Sequence, residues 1–153
     1  MAEDPERGSR LPAAAVQWLP SISMAAVSMI LLVDGWPKLT STLGAGALLV
    51  LAWLLSPWFF PRSQADATAR EQASEADVPL IYWRAGCVYC LRLRLALGRT
   101  GNQAVWVDVS RDDDASARVR SVNDGNETVP TVFVGGTAWV NPAPSAVRST
   151  LAP

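Results

Sequence analysis

The sequence predicts an α/β domain with a four-stranded mixed sheet and flanking helices, preceded by a two-helix transmembrane hairpin. Three observations support this prediction. Two uncharged stretches of 23 residues occupy most of residues 11–61. Residues 78–153 then alternate between short apolar runs typical of strands and segments typical of helices. Two cysteines, Cys87 and Cys90, stand where the first of these strands gives way to a helix.

Composition excludes several functional classes. The chain has 153 residues, a formal net charge of −1 and no histidine. Without histidine, Ser-His-Asp and Cys-His catalysis are impossible, and two cysteines alone cannot complete a four-ligand Cys/His zinc site. We therefore predict no metal. Because there is no excess of basic residues to neutralise phosphates, we also predict no nucleic acid partner.

The N-terminal third is predicted to cross a lipid bilayer twice. Residues 11–33 and 39–61 each exceed the ~20 apolar residues that span a membrane as a helix. Residues 34–38 have the polar and turn-forming character of a water interface. This divides the region into a tail over residues 1–10 and a hairpin over residues 11–61. A signal peptide, a buried pair of soluble helices and a hairpin that enters the membrane without spanning it remain as alternatives.

Basic residues near the two stretches predict the orientation. Arg7 and Arg10 precede the first stretch, Arg62 and Arg70 follow the second, and Lys38 lies between them. Because basic residues are enriched on the cytoplasmic side, both termini and the C-terminal domain are expected in the cytoplasm. The predicted location is therefore the cell membrane, with the opposite topology as the alternative.

Residues 62–77 are rich in Ala, Glu, Gln and Ser and contain no large apolar side chain. They are predicted to form a polar linker, because such a segment cannot bury enough apolar surface to build a core. Residues 78–153 form the predicted C-terminal domain, which is small but large enough to fold.

The elements of this domain follow from local patterns. Strands are predicted over residues 79–84, 104–109, 131–134 and 137–140, and helices over residues 87–97, 112–122 and 144–151. The last two strands are separated only by Gly135-Gly136, which predicts a tight antiparallel hairpin. The first strand, helix and strand predict a right-handed crossover between parallel strands. Together these connections give the mixed sheet.

Thiol redox chemistry is the function that the two cysteines indicate. A Cys-x-x-Cys motif at the first strand-to-helix junction is the thioredoxin-like arrangement. Cys87 is expected at a helix N-terminus, where backbone N–H groups stabilise a thiolate, so it is the predicted nucleophile. Cys90, one turn further, is the predicted resolving thiol. Half of a metal site or a structural disulfide are the alternatives.

Two blocks of sequence resemble the glutaredoxins. The first is Cys-Val-Tyr-Cys-Leu-Arg-Leu at residues 87–93, and the second is Ser-Val-Asn-Asp-Gly-Asn-Glu-Thr-Val-Pro-Thr-Val at residues 121–132. The second block is the more specific and looks most like the mycoredoxins of bacteria that use mycothiol. The resemblance covers residues 78–153 and does not extend to the N-terminal hairpin.

This resemblance implies further features of the site. It implies that Pro130 follows a cis peptide bond that places the Val129 backbone against the active-site sulfur. It implies contacts to a low-molecular-weight thiol from five residues, namely Tyr89, Thr128, Val129, Pro130 and Thr131. The resemblance to mycoredoxins implies mycothiol as the co-substrate. The Cys-Asp pair typical of glutathione-binding relatives is missing after Gly136, which argues against glutathione.

We therefore predict a membrane-tethered thiol-disulfide oxidoreductase that reduces mixed disulfides between proteins and a small thiol. Its predicted partners are S-thiolated proteins, small-thiol mixed disulfides, the lipid bilayer and a possible reductase. Three alternatives keep part of this prediction. They are a redoxin reduced directly by a thioredoxin reductase, an extracytoplasmic thiol-disulfide exchanger and a non-catalytic membrane adaptor.

Overall fold

The computed structural model of the chain describes residues 18–33 and 38–151. The predicted N-terminal tail, the start of the first apolar stretch, the loop at residues 34–37 and the last two residues lie outside the described residues. The remainder of the two apolar stretches, the predicted linker and almost all of the predicted α/β domain lie within them.

The C-terminal region forms the predicted four-stranded mixed sheet. Its strands are β1 (Leu80–Trp83), β2 (Val105–Asp108), β3 (Thr131–Val134) and β4 (Thr137–Val140), and they lie in the order β2-β1-β3-β4. β1 pairs in parallel with β2 and antiparallel with β3, and β3 pairs antiparallel with β4. Gly135 and Gly136 both have positive φ, which the tight β3–β4 turn requires.

The sheet is the centre of the hydrophobic core. Ile81, Tyr82 and Val107 are fully buried, and Trp83 and Trp106 are almost so. Because β1 and β2 are buried at every position, both faces of the sheet must be covered. The covering elements include α4 (Val88–Leu97), α5 (Asp113–Ser121) and α6 (Pro144–Arg148). A short 3-10 helix, Thr100–Gln103, leads from α4 into β2.

Local sequence explains where the long helices begin. The carboxylate of Asp112 accepts hydrogen bonds from the backbone N–H groups of Asp114 and Ala115 and so caps α5. Cys87 has extended backbone angles and occupies the equivalent capping position of α4. Gly98 ends α4 in a conformation with positive φ. The nucleophile predicted from sequence therefore stands at a helix N-terminus.

The N-terminal region forms two helices, α1 (Leu19–Val33) and α2 (Lys38–Leu54), that pack against each other. The pair is antiparallel, since the Ser21 hydroxyl donates to the Ala52 carbonyl and the Ser28 hydroxyl to the Ala45 carbonyl. The helices have 15 and 17 residues. Within residues 18–33 and 38–151, no helix combines the length and the apolar character needed to cross a membrane. The predicted transmembrane spans are thus not supported, although a helical hairpin is present.

The segment predicted as a polar linker instead packs on the sheet. Residues 66–75 form a helix, α3 (Asp66–Glu75), that lies against β1 and β2. Ala69 and Ala73 are buried, because their small side chains allow close approach to the strands. Asp66 is also buried, and its carboxylate accepts a hydrogen bond from the Tyr82 hydroxyl. The prediction of a polar linker over residues 62–77 is corrected for residues 66–75, which form a helix packed on the sheet. Buried alanines and the Asp66–Tyr82 hydrogen bond attach this helix although it has no large apolar side chain.

Candidate active site

The sulfur of Cys87 lies at the N-terminus of α4, at the edge of the sheet where β1 ends. It accepts a hydrogen bond from the backbone N–H of Cys90 at 3.3 Å. The Cys87 N–H in turn donates to the carbonyl of Arg84 at 3.3 Å, which closes the turn between strand and helix. Cys87 is half-buried and Cys90 is fully buried, and both are free thiols. Only Cys87 is therefore open to a partner from outside.

The environment lowers the pKa of Cys87 from 9.0 to about 6. The main cause is a hydrogen bond from the Cys90 thiol, which stabilises the thiolate. The backbone N–H groups of Cys90 and Tyr89 and the charge of Arg84 act in the same direction, while burial opposes them. At neutral pH, Cys87 is therefore largely thiolate.

The same interactions act on Cys90 in the opposite direction. The hydrogen bond to Cys87, burial and the charge of the Cys87 thiolate all raise the pKa of Cys90 well above its ordinary value. Cys90 thus stays protonated and donates to its neighbour. The two cysteines have separate roles at neutral pH because their environments shift their pKa values apart.

The loop before β3 forms the wall opposite Cys87. The Val129–Pro130 peptide bond is cis, as the resemblance implies. The carbonyl oxygen of Val129 lies 3.4 Å from the Cys87 sulfur and accepts a hydrogen bond from it when Cys87 is protonated. The Val129 backbone therefore lies against the sulfur, as expected from the resemblance.

Thr131, the first residue of β3, is buried beneath this loop. Its side chain is fully buried, donates to the Thr128 carbonyl at 2.8 Å and accepts from the Asn123 amide at 3.2 Å. Thr131 therefore holds the loop in shape from within, whereas Thr128 is only partly buried. The sequence did not identify Asn123 as a member of this network, since its partner lies eight positions further along the chain.

An ion pair joins the turn after β1, which leads to Cys87, to the loop before β3 that lies opposite the sulfur. Arg84, between β1 and Cys87, contacts the Glu127 carboxylate at 2.9 Å. Glu127 also accepts a hydrogen bond from the Ser116 hydroxyl and pairs with Arg120 at 3.4 Å. Sequence analysis missed this contact, because Arg84 and Glu127 lie 43 positions apart and no local pattern links them. Arg84 thus places a positive charge near Cys87, and its ion pair with Glu127 connects the turn before Cys87 to the loop before β3.

Tyr89 lies on the open side of the site. Its side chain is 58% exposed and lines a cleft of about 270 Å³. Arg92, Leu93 and the loop at residues 141–144 form the rest of this cleft. Of the predicted small-thiol contacts, Tyr89 and Thr128 are therefore reachable from outside by their side chains, while Val129 presents its backbone.

The arrangement is that of a thiol-disulfide exchange site. An accessible thiolate, a protonated thiol one turn away and a backbone carbonyl opposite are brought together at one edge of the sheet. In the part of the chain that the structure describes, no group of three His, Cys, Asp or Glu side chains is placed to hold a metal ion.

Comparison with known proteins identifies the class. The sequence profile of the glutaredoxin family matches residues 80–139, which include both cysteines, the cis-proline loop and all four strands except the last residue of β4. The chain belongs to the glutaredoxin family. The protein is accordingly a thiol-disulfide oxidoreductase with a thioredoxin-like fold.

Individual relatives agree with this assignment. One relative is a protein of Mycobacterium tuberculosis that is named as a glutaredoxin. It is 43% identical over 74 residues, which cover 46% of this chain and 86% of the relative. Mycoredoxin 1 of Corynebacterium glutamicum is 41% identical over 68 residues, covering 44% of this chain and 84% of the relative. The similarity accounts for less than half of this chain.

Proposed function

We propose that this protein reduces mixed disulfides between proteins and mycothiol, with Cys87 as the nucleophile. The observation that carries the proposal is the half-buried Cys87 sulfur, which the helix N-terminus and Cys90 hold as a thiolate. The similarity to a protein named mycoredoxin supports mycothiol as the thiol.

In the first step, the Cys87 thiolate attacks the mycothiol sulfur of the mixed disulfide. A disulfide forms between Cys87 and mycothiol, the bond to the substrate protein breaks, and the protein thiolate leaves and takes up a proton. In the second step, the thiolate of another mycothiol attacks the mycothiol sulfur on Cys87. Oxidised mycothiol is released and the Cys87 thiolate is restored. The disulfide bond thus passes from the substrate protein to a pair of mycothiol molecules, and one free mycothiol is consumed per turnover.

Cys90 provides a second route for the release step. Its sulfur attacks Cys87, forms an intramolecular disulfide and releases mycothiol, after which two further mycothiol molecules reduce the pair. Cys90 is fully buried, and burial disfavours its thiolate, so this route is slow at neutral pH because only the thiolate attacks. We therefore propose that the route through Cys87 alone carries most of the turnover.

The proposal is tested by measuring turnover with two adducts of the same protein substrate, one with mycothiol and one with glutathione. The full chain is used, since residues before the family domain pack into its core. Faster reduction of the mycothiol adduct, with mycothiol as the reductant, is the expected result. Equal or faster reduction of the glutathione adduct contradicts the choice of thiol but leaves the exchange chemistry in place.

We also propose that the α1–α2 pair holds the enzyme at the cell membrane, with the thiol site on the cytoplasmic side. Large apolar side chains on the outer surface of the pair support this part of the proposal, and they are Ile22, Val27, Met29, Ile30, Leu43, Leu49, Val50 and Trp53. Soluble proteins rarely expose so many neighbouring apolar side chains unless something covers them.

Flotation of the full chain with liposomes tests the attachment. We expect the protein to rise with the vesicles and to remain with them at high salt, because apolar contacts do not weaken with ionic strength. In cells, modification of Cys87 by a membrane-impermeant thiol reagent only after permeabilisation would support the cytoplasmic side. Recovery of the protein in the liposome-free fraction contradicts the attachment.

A further inference from the structure

Residues 55–60 join the N-terminal helices to the rest of the chain. They directly contact the turn between β1 and α4 that carries Cys87. The backbone N–H of Gly86, the residue before Cys87, donates to the carbonyl of Leu55 at 3.2 Å. Leu55 and Ala85 are both buried at this contact. The family match begins only at residue 80, so this contact comes from outside the glutaredoxin domain.

Two aromatic residues of the same segment contact the elements on either side of Cys87. The ring of Phe60 stacks on Trp83, the last residue of β1, with centroids 3.9 Å apart and planes within 10°. The ring of Phe59 lies 5.9 Å from the guanidinium of Arg94, one turn beyond Cys90 in α4. The segment therefore contacts the strand before Cys87, the loop that carries it and the helix after it.

We propose that residues 55–60 are a positioning element of the active site, which sets the orientation of Cys87 through Gly86 and Trp83. Gly86 has a φ of 79°, a conformation that favours glycine, and its N–H is held by the Leu55 carbonyl. The Cys87 sulfur reaches the N–H groups of α4 only while this turn keeps its shape.

The inference rests on the proposed role of Cys87, but its test does not depend on the substrate. The rate at which iodoacetamide alkylates Cys87 is measured against pH on the full chain in mild detergent, with mass spectrometry to count only the Cys87 adduct. The midpoint of this profile reports how well the site stabilises the thiolate. A failed mycothiol assay would leave this measurement unaffected.

Phe60→Ala is the informative variant, and Phe133→Ala is its matched control. Both phenylalanines are 7% exposed, and each packs its ring against an aromatic residue of β1. Phe133 pairs with Leu80 at the end of β1 remote from Cys87. We expect Phe60→Ala to raise the alkylation midpoint by about half a pH unit or more, as hydrogen bonds to the thiolate loosen. Phe133→Ala should lose about as much stability as Phe60→Ala but leave the alkylation midpoint unchanged.

Phe60→Tyr keeps the aromatic stack and should restore the midpoint, and Phe60 lines a cleft of about 390 Å³. If Phe60→Ala fails to fold, Phe59→Leu keeps the apolar volume, removes the ring beside Arg94 and should raise the midpoint by a smaller amount. Equal midpoints in wild type, Phe60→Ala and Phe59→Leu, or equal shifts in Phe60→Ala and Phe133→Ala, would overturn the proposal.

Discussion

The two halves of this molecule use apolar side chains in opposite ways. The α/β domain places its large apolar residues inside, and Ile81, Tyr82 and Trp83 on β1 are at most 2% exposed. The α1–α2 pair turns many of its large apolar residues outward, with Met29 64% and Leu43 66% exposed. Small residues such as Ala45 and Ser28 form the contact between its helices.

This difference shows what each half needs in order to be stable. The domain buries its large apolar side chains in its own core. Its chemistry depends on where that fold places the two cysteines. The helix pair leaves apolar surface uncovered and depends on an outside partner, which we propose to be lipid. Residues 55–60 and α3 join the halves, because both pack into the core of the domain.

The largest expected effect is the difference in turnover between variants of the two cysteines. Cys87→Ser removes the nucleophile and should reduce turnover of a small-thiol mixed disulfide by at least ~100-fold, toward the uncatalysed rate. Cys90→Ser should retain turnover within about tenfold, because a second small thiol completes the reaction. Initial rates of the purified full-length variants provide the measurement. Loss of activity in Cys90→Ser alone would show that the resolving route is obligatory.

The pH dependence of Cys87 should differ from that of an exposed thiol. Its pKa is lowered to about 6, so the thiolate fraction is nearly complete at pH 8 and falls as pH drops through 6. Below this midpoint, the alkylation rate should fall about tenfold per pH unit. Stopped-flow alkylation between pH 4 and pH 9 measures it, with free cysteine as the control. A midpoint near that of free cysteine would mean that neither the Cys90 thiol nor the helix N-terminus stabilises the Cys87 thiolate.

A smaller effect tests whether α3 is part of the domain. Asp66→Ala leaves the buried Tyr82 hydroxyl without its acceptor, which should lower the free energy of unfolding by about 1–3 kcal/mol. Chemical denaturation measures the loss, and Glu71→Ala on the exposed face of α3 is the control. Adding Tyr82→Phe to Asp66→Ala should recover part of the loss, since neither polar group then remains unpaired. Equal stability of Asp66→Ala and Glu71→Ala would indicate that α3 is a free linker.

The smallest effect concerns the outer surface of the helix pair. Replacement of Met29 and Ile30 by Glu should reduce flotation with liposomes several-fold, because charged groups are costly to bury in hydrocarbon. Leu95→Glu, an equally exposed apolar site on α4, should leave flotation unchanged. Neither change should alter the alkylation of Cys87. A reduction by Leu95→Glu alone would place the membrane contact on the domain.

The sequence predicts the domain well because its signals are local. Short apolar runs and the Gly135-Gly136 turn each act within a few positions, and all four strands lie within their predicted bounds. The position of Cys87 at the start of α4 follows from the same patterns. The cis bond before Pro130 was reached only through the resemblance, since sequence alone favours trans.

The features that sequence did not predict depend on distant partners. α3 contains no large apolar residue, so its attachment rests on alanines that fit the sheet and on the Asp66 contact with Tyr82. The Arg84–Glu127 ion pair and the Leu55–Gly86 hydrogen bond join positions that are 43 and 31 residues apart. Most of the described residues in the two apolar stretches are helical, as predicted, but α2 ends at Leu54, before the predicted boundary. Among the described residues, no helix has the length and apolar character needed to span a membrane.

The most direct test is to trap the covalent intermediate. The full-length Cys90→Ser variant is mixed with a mycothiol mixed disulfide, quenched with acid and digested, and the peptides are analysed by mass spectrometry. We expect one mycothiol on the peptide that contains Cys87, and its loss when free mycothiol is added before quenching. An unmodified Cys87 under conditions in which wild type turns over the substrate would contradict the role of Cys87 as nucleophile.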